Sequence, residues 1–219
     1  MHDDERNELM SIIDLSCPFP PEAAEKVHLR EVPLKSAQTA YTGMIYDIEI
    51  NSMDGSYIDL PGHIRETDDG QRGDNVPLEQ FYRVPCSVIR LNRQDQSGAV
   101  SASELEQAFG GKITTPALMI NALGKREPDE IKMRSVWLDF SALDWIIGSG
   151  VRLLVSDIYE SSRLEGVFLK LFKAGVSTVC EPRHMSRIRK KAVELTVMFP
   201  NIPGMTQIPC RILADDGKE

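Results

Sequence analysis

Apolar and polar residues alternate from Tyr41 to Asn51, a period-two pattern that predicts a β-strand. Ser11-Ile-Ile-Asp-Leu-Ser16 predicts a shorter one, stopped by Cys17-Pro-Phe-Pro-Pro21. Further strand patterns cover Cys86–Leu91, Ala117–Asn121, Val151–Asp157, Val176–Cys180 and Ile208–Ala214, the second of them an unbroken apolar run. Helical patterns lie between them. Ser101 or Ser103 can cap a helix that Gly110-Gly111 stops. Asp139 or Ser141 can cap one through Ala142–Ile147, ended by Gly148 and Gly150, and Val167–Lys173 is amphipathic and ends at Gly175. Pro77–Phe81 reads as a short helical turn. Strands and helices alternating over 117–181 imply βαβ crossovers, hence an α/β fold with a mixed β-sheet and flanking helices.

The expected organisation is a frayed N-terminal tail at 1–10, a single α/β domain over 11–214 and an acidic C-terminal tail at 215–219. No internal repeat, low-complexity tract or linker interrupts it. Arg65–Asn75 is a polar loop, read either as a lid over a pocket or as a solvated surface loop.

At 219 residues, 42% hydrophobic and 26% charged, the chain can bury a sizeable core. A net charge of −8 argues against nucleic acid and anionic membranes as partners. No apolar run is long enough to span a bilayer, and Met-His-Asp-Asp-Glu-Arg does not read as a signal peptide, so the expected location is cytoplasmic. Cys17, Cys86, Cys180 and Cys210 form no C-x-x-C pair and are expected to be reduced and buried; Cys17 and Cys180 lie nearest to candidate site segments.

There is no phosphate-binding G-x-x-x-x-G-K-[ST], no G-x-S-x-G elbow and no H-E-x-x-H. Gly148-Ser-Gly150 reads as a helix stop. The basic run Arg183–Lys191 reads as a solvated helix face rather than a phosphate patch. Chemistry concentrates in Met53-Asp-Gly-Ser-Tyr-Ile-Asp-Leu-Pro-Gly-His63. In a strand, Tyr57 and Asp59 share a face, and the Pro61-Gly62 bend can return His63 toward them. A phenol, a carboxylate and an imidazole in one place suit acid/base or metal chemistry. His2, in the tail, His28, in a polar extended stretch, and His184, in the basic run, lack such a setting.

The 53–63 segment resembles the H-x-G-T-H-x-D-x-P-x-H signature of the cyclase family, which includes bacterial kynurenine formamidases. Ile13-Asp-Leu-Ser16 resembles the family's opening strand, and Gly150–Asp157, Leu171–Glu181 and Cys210–Ala214 resemble its later segments, in order and spacing. The resemblance implies a swivelling β/β/α fold. It also implies hydrolysis or cyclisation at an amide, lactone or cyclic amide of a small carbonyl substrate, arylformamidase-like, and assembly as a homodimer or higher homo-oligomer. Zn or Mn serves the family. Carried over by position, its ligands fall on Met53, Tyr57 and Asp59, its base on His63 and a second-metal glutamate on Glu181. A further ligand histidine falls near Phe168 or Leu169, where there is none. A thioether and a neutral phenol are poor ligands for these ions. The resulting expectation is no cofactor (any metal falling to Asp59, His63 and Glu181), with catalysis by His63, Asp59 and Tyr57 and substrate contacts from Met53, Ser56 and Glu181. A catalytically inactive small-molecule-binding or partner-regulating paralogue is the alternative.

Overall fold

The structure is a computed structural model and describes residues 12–217. The expected tail at 1–10, with His2, lies outside the described residues, as does the end of the C-terminal tail. Strands are β1 (Ile12–Asp14), β2 (Val27–Lys35), β3 (Ala40–Ile48), β4 (Tyr57–Asp59), β5 (Val84–Arg90), β6 (Gly98–Val100), β7 (Ala117–Asn121), β8 (Val136–Leu138), β9 (Leu153–Ser156), β10 (Ser177–Cys180), β11 (Ala192–Met198), β12 (Gln207–Pro209) and β13 (Arg211–Asp215). Helices are α1 (Ala102–Phe109), α2 (Phe140–Gly148) and α3 (Val167–Lys173).

The helix boundaries follow from their caps. Ser101 accepts the Glu104 N–H at the start of α1, which ends on Gly110 in the left-handed region, φ 72°. Asp139, rather than Ser141, caps α2 by accepting the Ala142 N–H at 2.9 Å. The connections β5–α1–β7, β7–α2–β9 and β9–α3–β10 all return to parallel neighbours, as the βαβ pattern requires.

One nine-stranded sheet runs in the order β1-β13-β11-β5-β7-β9-β10-β4-β12, parallel at its centre and antiparallel toward both ends. This is the mixed sheet of an α/β fold. Its two sides alternate along each central strand. Met119 and Val155 join a core with Ile58, Val179, Leu195 and Ile212. Ile120 and Leu154 face α2 and α3 with Leu143, Ile146, Leu171 and Phe172. Because both sides are covered, β7 is buried throughout, which explains its unbroken apolar run.

Three expectations are corrected. The strand expected over Ile208–Ala214 is two strands. β12 pairs with β4 at one end of the order and β13 with β11 and β1 at the other, with Cys210 alone between them. One intervening residue can join those strands only if the sheet curls until its ends nearly meet. The basic run is not a helix: Pro182 precedes it, His184 sits in the left-handed region (φ 58°), and Met185 and Ile188 are buried, leaving one 3-10 turn before β11. The strand expected over Tyr41–Asn51 ends at Ile48, and its partner is β2, in a hairpin separate from the main sheet.

At the C-terminal end of β9, Asp157 accepts the N–H groups of Ala122 (2.8 Å) and Leu123 (3.0 Å). Burial pushes its carboxyl pKa up to about 7, against the opposing pull of those N–H bonds. The folded chain therefore holds this proton more tightly than the unfolded chain does. The contribution to stability is full below about pH 4 and is lost as pH rises through about 7. Asp157→Asn removes the titration, so the unfolding free energy of the variant minus that of the parent should rise by on the order of 2–4 kcal/mol between pH 5 and 8. Urea melts at several pH values read this, and a pH-independent difference contradicts it.

Candidate functional site

The 53–63 segment forms β4 and the 3-10 turn Pro61–His63. Gly55 makes the entry possible. Its φ of 70° disfavours any side chain, and a Cβ there would lie 2.8 Å from the Phe19 ring and 2.9 Å from the Cys17 carbonyl oxygen. Ser56 then ties three segments together, accepting the Cys17 N–H and donating to the Glu181 carbonyl, both at 2.7 Å. It is buried, with its hydroxyl engaged in both bonds.

β4 lies between β10 and β12, with Tyr57 opposite Cys180 and Pro209, and Asp59 opposite Thr178 and Gln207. Directly opposed residues share a face, so Tyr57, Asp59, Cys180 and Gln207 project to one side of the sheet. Asp59 is buried. Its Oδ1 accepts from the Gln207 amide at 2.9 Å, and the Cys180 thiol approaches its Oδ2 at 3.7 Å. Burial raises the Asp59 pKa, while the Gln207 hydrogen bond and nearby His63 pull it back. The Tyr57 hydroxyl sits beside Cys180. Burial, with the neighbouring Cys180, Asp59 and Glu181, holds its pKa well above the ordinary phenol value, so Tyr57 stays protonated and can donate. Burial likewise keeps Cys180 a thiol.

His63 is exposed, its ring edge-on to Phe172 of α3 with centroids 6.4 Å apart. Gln207 joins it to Asp59, with the amide nitrogen 3.3 Å from Nε2. Ser52 donates to Gln207 Oε1 at 2.6 Å, which directs the amide N–H groups toward Asp59 and His63. The expected imidazole–carboxylate pair is thus relayed through Gln207. Sequence reasoning missed this residue because it reaches the site only through the β12–β4 pairing.

Met53, Tyr57 and Glu181 wall a hollow of about 430 Å³ with Cys17, Phe19 and Pro20. Asp59 and His63 are not among its walls. Asp59 is buried on the same face as Tyr57, and exposed His63 is joined to it through Gln207. Arg183 pairs with Glu181 at 3.1 Å, and His184 with Glu127 at 3.4 Å. Cys17, on the wall, has its thiol pKa raised by burial. No group of three or more His, Cys, Asp or Glu residues among the described residues is arranged to hold a metal ion, so Asp59, His63 and Glu181 do not form one together. Met53 offers a thioether and Tyr57 a protonated phenol, both poor donors for Zn or Mn.

The cyclase family model matches residues 13–161, more than half of the chain. This chain belongs to the cyclase family. Among solved structures, this cyclase-family chain is similar to isatin hydrolase A from Labrenzia aggregata, with a TM-score of 0.71 and 14% identity over 95% of this chain and 94% of that one. Isatin hydrolase A from Ralstonia solanacearum matches with a TM-score of 0.67 and 14% identity, covering 94% and 91% of the two chains. A protein described as a predicted metal-dependent hydrolase from Bacillus stearothermophilus matches with a TM-score of 0.65 and 16% identity, covering 95% and 99%. At these identities the likeness establishes the fold. No curated protein matches the sequence. The description of a same-fold structure as a metal-dependent hydrolase overturns the expectation of no cofactor, which rested on the replaced ligand positions alone. Metal is therefore a variable of the functional assay. No helix among the described residues is long and apolar enough to cross a membrane.

Proposed function

We propose that this cyclase-family chain hydrolyses or cyclises an amide, lactone or cyclic amide of a small carbonyl compound. The observation that carries the reading is the connected row Tyr57–Cys180–Asp59–Gln207–His63 beside an open hollow. His63 is the general base that takes a proton from the attacking water or ring-closing group. The Gln207 amide holds the resting imidazole by donating to Nε2, its basic nitrogen, so the ring turns off that contact to take the proton, and Asp59 behind it supplies negative charge as the imidazolium forms. The protonated Tyr57 hydroxyl donates to the carbonyl oxygen where charge develops. Met53 and Glu181 contact the substrate from the walls. The names of the isatin hydrolases support a cyclic amide fused to an aromatic ring as the first substrate to try.

Purified protein should turn over at least one member of a panel of isatin, N-formylkynurenine and simple aryl lactones. The panel is assayed with chelator, with added Mn²⁺ and with added Zn²⁺. Ligand-induced thermal stabilisation without turnover under every condition would replace this reading with that of a binding paralogue.

A further inference from the structure

Two of the four cysteines meet at the seam that closes the sheet. β1 pairs with β13 through Asp14↔Leu213, and the ladder runs on in the bond from the Leu15 N–H to the Ile212 carbonyl at 2.9 Å. Counted on along both chains, that register sets Cys17 level with Cys210. Ser56 joins the same two residues. Its N–H donates to the Cys17 carbonyl at 3.4 Å, and its own carbonyl accepts the Cys210 N–H at 2.8 Å. Both bonds fall on the backbone of one residue, so the two cysteine backbones are held side by side.

Both side chains border one hollow of about 500 Å³, together with Phe19, Ile50 and Phe199. Both are half-buried free thiols, whereas Cys86 and Cys180 are buried. Residues level with each other in an antiparallel pair lie about 4.5–5.5 Å apart at Cα, and a disulfide needs about 4.4–6.8 Å. The hollow gives a small reagent a path to both sulfurs.

We propose that Cys17 and Cys210 are a redox pair, which a low-molecular-weight disulfide converts to an intramolecular disulfide that staples the seam. Burial raises the pKa of both thiols, and nearby Arg183 pulls that of Cys17 back, so Cys17 is the attacking sulfur. Its thiolate displaces one thiol from the small disulfide, leaving a mixed disulfide on Cys17. Cys210 then gives up its proton and attacks the Cys17 sulfur, and the second small thiol departs. One S–S bond forms in the chain and one breaks in the oxidant, which carries away both electrons and both protons as two thiols. The link closes a loop from residue 17 to residue 210, nearly the whole chain, and so constrains the unfolded state strongly. It also reaches the candidate site. Cys17, Pro18 and Phe19 border this hollow and the site hollow alike, so oxidation fixes the wall the two share.

The full chain is incubated with glutathione disulfide and compared with the reduced protein by intact mass, peptide mapping and thermal melting. None of these depends on activity, so failure here is separable from failure of the proposed function. The expected product is a chain lighter by two hydrogen atoms, with a linked Cys17–Cys210 peptide and a Tm raised by about 5–15 °C, all reversed by dithiothreitol. Cys210→Ser should abolish the linked peptide and the rise in Tm, and should hold a single glutathione on Cys17. Should that variant misfold, the peptide map of the parent decides alone. All thiols still free after oxidation, separate adducts on the two cysteines, or a bond to Cys86, Cys180 or a second chain overturns the proposal. A Cys17–Cys210 bond that leaves Tm unchanged overturns the staple equally.

Discussion

His63→Ala should lower kcat/KM by about 10²–10⁴-fold on whichever substrate of the panel is turned over, with little change in the unfolding midpoint. The small stability effect follows from placement: the ring is exposed and meets the protein at its edge, beside Phe172 and Gln207. The large kinetic effect follows from the row of contacts, of which His63 is the solvent-facing member. A loss confined to kcat, with KM nearly unchanged, is the pattern of a group acting in the transition state. Unchanged kcat/KM would remove His63 from the base role. Tyr57 and Asp59 could not then inherit it, since the phenol is held protonated and the carboxylate is enclosed.

Phe172→Ala should cost about 3–5 kcal/mol of unfolding free energy, read by urea titration. Phe172 is one of the largest fully or nearly fully buried side chains, sitting in the helix-side core with Leu171, Leu154 and Ile146 and stacking obliquely on Phe168 at 5.9 Å. Close-packed neighbours relax only partly into a cavity of that size. The same substitution removes the wall behind the His63 ring, so kcat should fall in the fraction that remains folded. Phe172→Leu keeps most of the volume and should retain most of both quantities. A loss below about 1 kcal/mol for the alanine variant would mean that α3 is not held as the packing indicates.

Much of this architecture was legible because its signals are local. A serine or aspartate before an apolar-periodic run and a glycine after it fix where α1 and α2 begin and where α1 stops. The apolar run at Ala117–Asn121 marks a strand covered on both sides. The shared face of Tyr57 and Asp59 was legible for the same reason, since residues two apart in a strand must share one. What the sequence hid is set by long-range pairing. Gln207 is an unremarked polar residue until β12 pairs with β4 and carries it to Asp59, 148 positions away along the chain. β2 reads as polar and extended because its apolar residues divide between two faces of a ribbon with no sheet beneath it. The basic run hid the approach to β11 because lysine and arginine suit either a helix surface or an exposed loop. The left-handed turn at His184 excludes the helix.

The seam at Cys210 has a consequence for how the molecule comes into being. Of the strands in the main sheet, β12 and β13 are the last to be synthesised, and they complete opposite borders of the sheet. Until both are in place, β4 and β11 each present a bare row of backbone donors and acceptors, the kind of border on which unfinished chains stick together. The Gln207 amide that meets the His63 imidazole arrives on that same closing segment. Maturation of the site and sealing of the sheet are therefore a single event, and a ribosome-bound chain halted before residue 207 should be both inert and prone to clump.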